Sequence, residues 1–310
     1  MTSTLVRLMT AVAALCATGS ILVSQRADAG PAVRTKAVAP MLAITFDDLP
    51  AHGALPPGQT RASVLRSIIA TLKGAHVPVH GFLNASFGQG DPHAREAIAA
   101  WRAAALPTGN HGYHHRNLND LTPAEFKTEL VSNEPAVDAA NARRQPRWFR
   151  YPFLSEGTDP SLRNAARRIL AERGYRVAAV TMSFGDFLYA EPYARCMAKG
   201  DDTAVVALER QWLMAARAEA LAKRARSMAL YGREVPQILL LHVGALDARM
   251  LPRTIALYRA LGYRFVTLEQ AQVDPFYASA NDLTLPSSSP TLDGDTKSAG
   301  PSFSMTDLCR

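Results

Sequence analysis

Six short strand-like stretches recur along the chain, at 41–46, 77–83, 147–151, 176–182, 237–242 and 263–268, each separated from the next by sequence of helical character. The stretches are too short for helices and are mostly apolar throughout, which is the signature of strands buried on both faces. Between them, helix signals are clear. Residues 60–73 are periodic and stop at Gly74, and Asp91-Pro92 opens a helix running to Ala104. Thr122-Pro-Ala-Glu125 is a capping box for a helix to about Ala142, and Asp159-Pro160 opens another that Gly174 closes. Residues 202–230 form a long Ala/Leu/Arg-rich helix, and 251–261 is helical with Gly262 as its cap. This alternation predicts an α/β fold with a parallel sheet, of a length suited to one closed or distorted (β/α) barrel domain. An open doubly wound sheet is the alternative, but no glycine-rich nucleotide loop follows the first strand.

The ends of the chain read differently from this body. Arg7, the apolar run Leu8 to Val23 and Ala27-Asp28-Ala29 have the order of a secretory signal, so 1–29 is expected to be a cleaved signal peptide; an uncleaved anchor is the alternative. Cys16 follows bulky Leu15 and does not fit a lipoprotein cysteine. Residues 30–40 form a leader, 41–278 the domain, and 279–310 a Ser/Pro-rich tail expected to be flexible. The mature chain is expected to be exported to the periplasm or the extracellular space, without stable membrane insertion and monomeric by default. Loss of Arg7, Arg26 and Asp28 lowers the formal charge from +7 to +6. That basicity suits an anionic envelope surface, or it only reflects surface composition. No zinc-finger spacing is present and the arginine runs lie on helical faces, so nucleic acid is not an expected partner. Cys196 and Cys309 remain after cleavage and are a candidate disulfide in an oxidising compartment.

Chemistry concentrates at the C-terminal ends of the strands, the face that carries active sites in α/β barrels. Asp47 and Asp48 follow Phe46, Arg150 lies in the 147–151 stretch, Asp186 lies just past the next, and His242 ends the most apolar strand. His111 and His115 are four residues apart and, if helical, share one face. Two imidazoles and a carboxylate suit a divalent ion such as zinc with a position left open for water. His114 would leave on a different side. The adjacent acids would split their work, one on the ion and the other as a base. The plainer readings are surface histidines on a turn and acids serving as a cap or a calcium-like turn.

At these residues the chain resembles the polysaccharide deacetylase (NodB homology) family of carbohydrate esterases. Thr45-Phe-Asp-Asp48 resembles the family's first motif, and Gly109-Asn-His-x-x-x-His115 with Leu118 its second. Phe149-Arg-Tyr-Pro152 resembles the third, Asp186-Phe187 stands where the fourth has Asp-Trp, and Leu239-Leu-Leu-His242 resembles the fifth. The resemblance implies a distorted barrel of about seven parallel strands. It implies that Asp48, His111 and His115 hold a divalent metal, usually zinc. It implies that Asp47 is the general base, that the backbone N–H of Phe153 binds the oxyanion, and that His242 protonates the leaving amine. Arg150 then positions Asp47, and Asp186 orients His242. The implied reaction removes N-acetyl groups from an amino-sugar polysaccharide, peptidoglycan- or chitin-like, so an acetylated glycan is the expected partner.

Several positions depart from the family pattern: Gly112 for Ser or Thr, Tyr151 for Pro, Phe187 for Trp, Ser183 where many members have another Asp, and Gly81-Phe-Leu-Asn84 for Thr-Phe-Phe. They leave the ligands, acid and base in place and put the substrate in question. An O-acetyl esterase, a small-amide amidase and a non-catalytic glycan-binding domain are the competing functions. A glycosidase using Asp47 and Asp186 would leave the two histidines without a task.

Overall fold

The computed structural model describes residues 39–143, 146–292, 305 and 307–310. The expected signal peptide, nearly all of the leader and residues 293–304 lie outside the described residues. The order is β1 (Met41–Leu49), α1 (Arg61–Ala75), β2 (Val79–Leu83), α2 (Pro92–Ala103), β3 (Thr108–Asn110), α3 (Pro123–Ala140), β4 (Arg147–Phe149), α4 (Pro160–Glu172) and β5 (Tyr175–Val177). After β5 come α5 (Ala190–Lys199), α6 (Asp202–Tyr231), β6 (Gln237–His242), α7 (Ala245–Ala260), β7 (Arg264–Phe265), α8 (Leu268–Gln272) and α9 (Ala278–Asn281).

The seven strands make one parallel sheet in the order β5-β4-β3-β2-β1-β6, with β7 pairing the start of β1. The chain beyond β5 closes the ring: Met182 bridges Leu239 of β6, and the amide of Leu240 donates to Met182 O at 3.0 Å. The architecture is therefore an irregular α/β barrel, in line with the expectation from the strand-helix rhythm. Residues of β1 alternate between two cores: Leu42, Ile44 and Phe46 pack with α1, α6 and α7, whereas Ala43 packs with Phe82, Trp148 and α4.

The helix caps follow the sequence signals. Thr122 and Glu125 form the capping box of α3, and Asp91 and Asp159 cap α2 and α4. Several elements differ from the sequence reading. β3 is an additional strand, β5 stops at Val177 instead of continuing to Met182, and α5 is an additional helix. The strand expected over 263–268 is only β7, since Thr267 caps α8. The long helix α6 packs against α5 and α7, with Trp212 Nε1 donating to Thr254 Oγ1 at 2.9 Å. The tail expected to be flexible begins packed. Leu283 and Leu292 are buried, and the Ser289 amide donates to the carboxylate of Glu156 at 3.1 Å. These apolar side chains and one partly buried carboxylate hold a segment whose composition alone reads as loose. Cys196 on α5 is joined to Cys309 by a disulfide, and Arg195 donates to Leu308 O. No helix among the described residues is long and apolar enough to cross a membrane.

Candidate active site

The end of β1 sets the site. Asp47 lies opposite His242 in the β1–β6 register, so the two emerge at one level of the barrel. In a regular strand Asp48 would then face the other way. It does not, because the β1–β2 register shifts between Phe46 and Leu49 and Asp48 adopts φ +62°. Left-handed backbone is costly for a non-glycine residue and marks a constrained position. Both carboxylates are buried.

Arg150 anchors Asp47. Its Nη1 donates to Asp47 Oδ1 at 3.0 Å and to Thr45 Oγ1 at 2.6 Å, and Nε donates to Ala178 O at 3.2 Å. The guanidinium is fully buried and stacks 4.3 Å over the Phe82 ring. Four residues thus hold one planar cation, and that cation holds one carboxylate.

Asp48 Oδ1 faces the two imidazoles, 3.6 Å from His111 Nε2 and 3.5 Å from His115 Nε2. This oxygen is buried and accepts no hydrogen bond. A buried carboxylate oxygen without a partner is expensive, and a cation among these three atoms removes that cost. His111 Nδ1 lies 2.8 Å from Arg150 O, which can only accept, so Nδ1 carries the proton and Nε2 offers its lone pair. Burial pushes His115 down to about 4 despite the nearby Asp48, so its ring is neutral and able to ligate at neutral pH. The donor set of one carboxylate oxygen and two imidazole nitrogens fits a divalent ion.

The two histidines do not share a helix face, contrary to the sequence expectation. Residues 111–115 form an irregular turn in which Gly112 has φ +75° and His115 φ +57°. Asn84 Nδ2 donates to His111 O at 2.6 Å and Gly112 O at 2.9 Å, while Asn110 Oδ1 accepts from the Gly112 amide at 2.9 Å. Side-chain amides therefore stitch the loop in place of helical hydrogen bonds. His114 leaves on another side and pairs with Glu129 of α3 at 2.7 Å.

On the opposite flank, His242 Nδ1 lies 3.0 Å from Asp186 Oδ2, which also accepts the His242 backbone N–H at 2.6 Å. Burial alone would lower the imidazole, but the Asp186 carboxylate, with Asp48 and Asp47 behind it, lifts it to about 9. Asp186 is itself held low: burial would raise it, and the imidazolium overrides burial. Burial and neighbouring Asp186 push buried Asp247, in the first turn of α7, well above the usual carboxylate range. Phe153, in the turn Pro152–Leu154, has φ +57° and lays its 64% exposed side chain 4.6 Å from the His115 ring. Phe187, 44% exposed, packs 5.4 Å from the His242 ring. Two aromatic side chains thus flank the polar centre.

Sequence reasoning missed three residues. His52 Nδ1 lies 2.7 Å from Asp48 Oδ2, Asn84 binds the loop carbonyls, and Asp247 sits beside Asp186. Asn84 ends a strand and could have been found by the rule that singled out Asp47 and His242. His52 and Asp247 lie in a loop and a helix, where no local pattern marks them.

Residues 34–178 match the family model described as polysaccharide deacetylase. No curated protein matches the chain. Among solved structures, the chitin deacetylase from the fungal pathogen Colletotrichum lindemuthianum is 20% identical with a TM-score of 0.53, over 76% of this chain and 88% of that one. A mutant of a CE4 family pseudoenzyme from Bacillus anthracis, with restored enzymatic activity, is 20% identical with a TM-score of 0.50, over 75% of this chain and 67% of that one. At such identity these structures establish the shared fold. Over residues 34–178, just under half of its length, the chain is similar to the polysaccharide deacetylase family.

Proposed function

We propose that this protein is a metal-dependent N-deacetylase of an amino-sugar polysaccharide, peptidoglycan- or chitin-like, exported and active as a monomer. The observation that carries the reading is the placement of a buried, arginine-held carboxylate and an aspartate-held imidazole on either side of one Asp–His–His donor set. Asp48, His111 and His115 would hold the ion, with zinc the expected species for this donor set. When bound, such an ion polarises an acetamide carbonyl and acidifies water.

The chain's own residues supply the proton traffic. Asp47 takes the proton of the attacking water, and Arg150 fixes the carboxylate through Oδ1 so that Oδ2 faces the site. The Phe153 backbone N–H, presented by the left-handed turn, donates to the developing oxyanion. His242, held cationic by Asp186, donates a proton to the departing amine nitrogen as the C–N bond breaks. Acetate and a free amino sugar result. Phe153 and Phe187 offer apolar faces to sugar rings on both sides of the reacting acetamide.

The test measures metal content and acetate release in parallel on N-acetylhexosamine oligomers, peptidoglycan and acetylated xylan. Bound divalent metal and acetate from the amide substrates are expected, and Asp48→Ala should lose more than about 100-fold of both affinity and rate. Metal-free protein, or full activity of Asp48→Ala, would refute the metal centre. Acetate only from xylan would move the reaction to ester cleavage.

A further inference from the structure

The Asp48 carboxylate has two oxygens with different surroundings. Oδ1 faces His111 and His115 and accepts no hydrogen bond, whereas Oδ2 lies 2.7 Å from His52 Nδ1. An ionised carboxylate only accepts, so His52 Nδ1 carries the proton and donates it. We infer that His52 is a positioning residue that occupies Oδ2, leaving Oδ1 as the single oxygen Asp48 presents to the ion. This rests on the reading of Asp48, His111 and His115 as the metal ligands.

The loop bearing His52 is built to hold that ring. The His52 amide donates to Val243 O at 2.8 Å, fastening the loop to the residue after His242. Arg61 Nη1 donates to Ala51 O at 3.1 Å. Gly53 has φ +67°, and a Cβ there would lie 2.7 Å from Ala190 Cβ, so the backbone rests directly on α5. Three contacts on consecutive residues, from the residue following β6, from α1 and from α5, fix the position of one imidazole. The ring is only partly covered, lying 4.8 Å from the His242 ring and 6.3 Å from Phe187. Its neighbours on that side, His242 and Asp48, fall with it into a second donor group. That group shares its Asp48 with the first, and within it His52 Nδ1 and Asp48 Oδ2 are already engaged with each other.

A carboxylate held through its second oxygen binds an ion in one orientation, without the freedom to swing or to chelate through both atoms. Partners of this kind typically carry 10–100-fold in metal affinity, on the order of their hydrogen-bond strength. The experiment is a zinc titration of the metal-free protein against a competing chelator, with His52→Ala, His52→Asn and His52→Gln. Thermal melting of the metal-free forms serves as the folding control. The wild type should bind one ion per chain. His52→Ala should weaken binding by roughly 10–100-fold. His52→Asn places an amide N–H where Nδ1 was and should recover most of the affinity, whereas His52→Gln, with its amide one carbon further out, should not.

Equal affinity of wild type and His52→Ala overturns the inference. So does a wild-type stoichiometry of two ions that drops to one in His52→Ala, since His52 would then be a ligand. If His52→Ala fails to fold, His52→Asn decides: wild-type affinity supports the role, and a loss like that of His52→Gln overturns it. A wild type that binds no ion fails at the underlying metal reading instead.

Discussion

The His242–Asp186 pair makes a quantitative demand on the protein. Asp186→Asn keeps an oxygen for the His242 backbone N–H, now at 2.6 Å, but removes the charge facing the imidazole. His242 sits at about 9 in the metal-free protein against an ordinary value of 6.5. A folded-state value above the unfolded one stabilises fully below the unfolded value and loses that contribution as pH rises through the folded one. Linkage over that interval gives about 2–3 kcal/mol at pH 7. The side chain is 12% exposed, so solvent screening does not erase the contribution. Asp186 is shifted the other way, so its contribution is lost as pH falls through its depressed folded value. The pair therefore stabilises most between these limits. Denaturant unfolding of metal-free wild type and Asp186→Asn should differ by about 2–3 kcal/mol at pH 7 and converge above pH ~10. An NMR titration should find His242 near 9 in the wild type and at or below 6.5 in the variant, where burial acts unopposed. A wild-type His242 titrating at 6.5 or lower, or a difference that persists unchanged above pH ~10, would refute the reasoning.

Three further outcomes are expected. Arg150→Met leaves the Asp47 carboxylate buried without its cation and should cost about 3–5 kcal/mol in denaturant unfolding, together with acetate release. Gly112→Ala has space for the methyl, 3.7 Å from its nearest neighbours, but not the backbone freedom; it should cost about 1–2 kcal/mol and weaken metal binding, and an unchanged melting temperature would exclude strain at that turn. A thiol count on unreduced protein should find Cys196 and Cys309 unreactive, and reduction should cost up to about 5 kcal/mol, because the bridge closes 113 residues of sequence.

The residues that could be read from the sequence were those whose setting is local. β1 and β6 are buried on both faces and therefore read as continuous apolar runs ending in acids or histidine. Capping boxes and Asp-Pro starts placed α2, α3 and α4, because a cap is a contact over three residues. β3 was illegible because Thr108-Gly109-Asn110 has no apolar pattern; its pairing with β2 and the demands of the adjoining loop make it a strand. The turn holding His111 and His115 was illegible for a related reason. Asn84, 27 residues before His111, supplies the hydrogen bonds that a helix would have provided internally.

Strand periodicity, caps and the polar residues at strand ends are consequences of covalent neighbours, and the amino-acid sequence by itself determined them. It also determined which side chains were available as ligand, base and acid. Closure of the barrel at Met182–Leu239, the turn of Asp48 toward the same side as Asp47, and the division of its two oxygens between the histidine pair and His52 were decided only by tertiary structure. The physical reason is that each depends on groups distant in sequence or on a backbone angle that is affordable only once packing enforces it. Chain order specifies the donors, and the packed barrel decides which oxygen each of them meets.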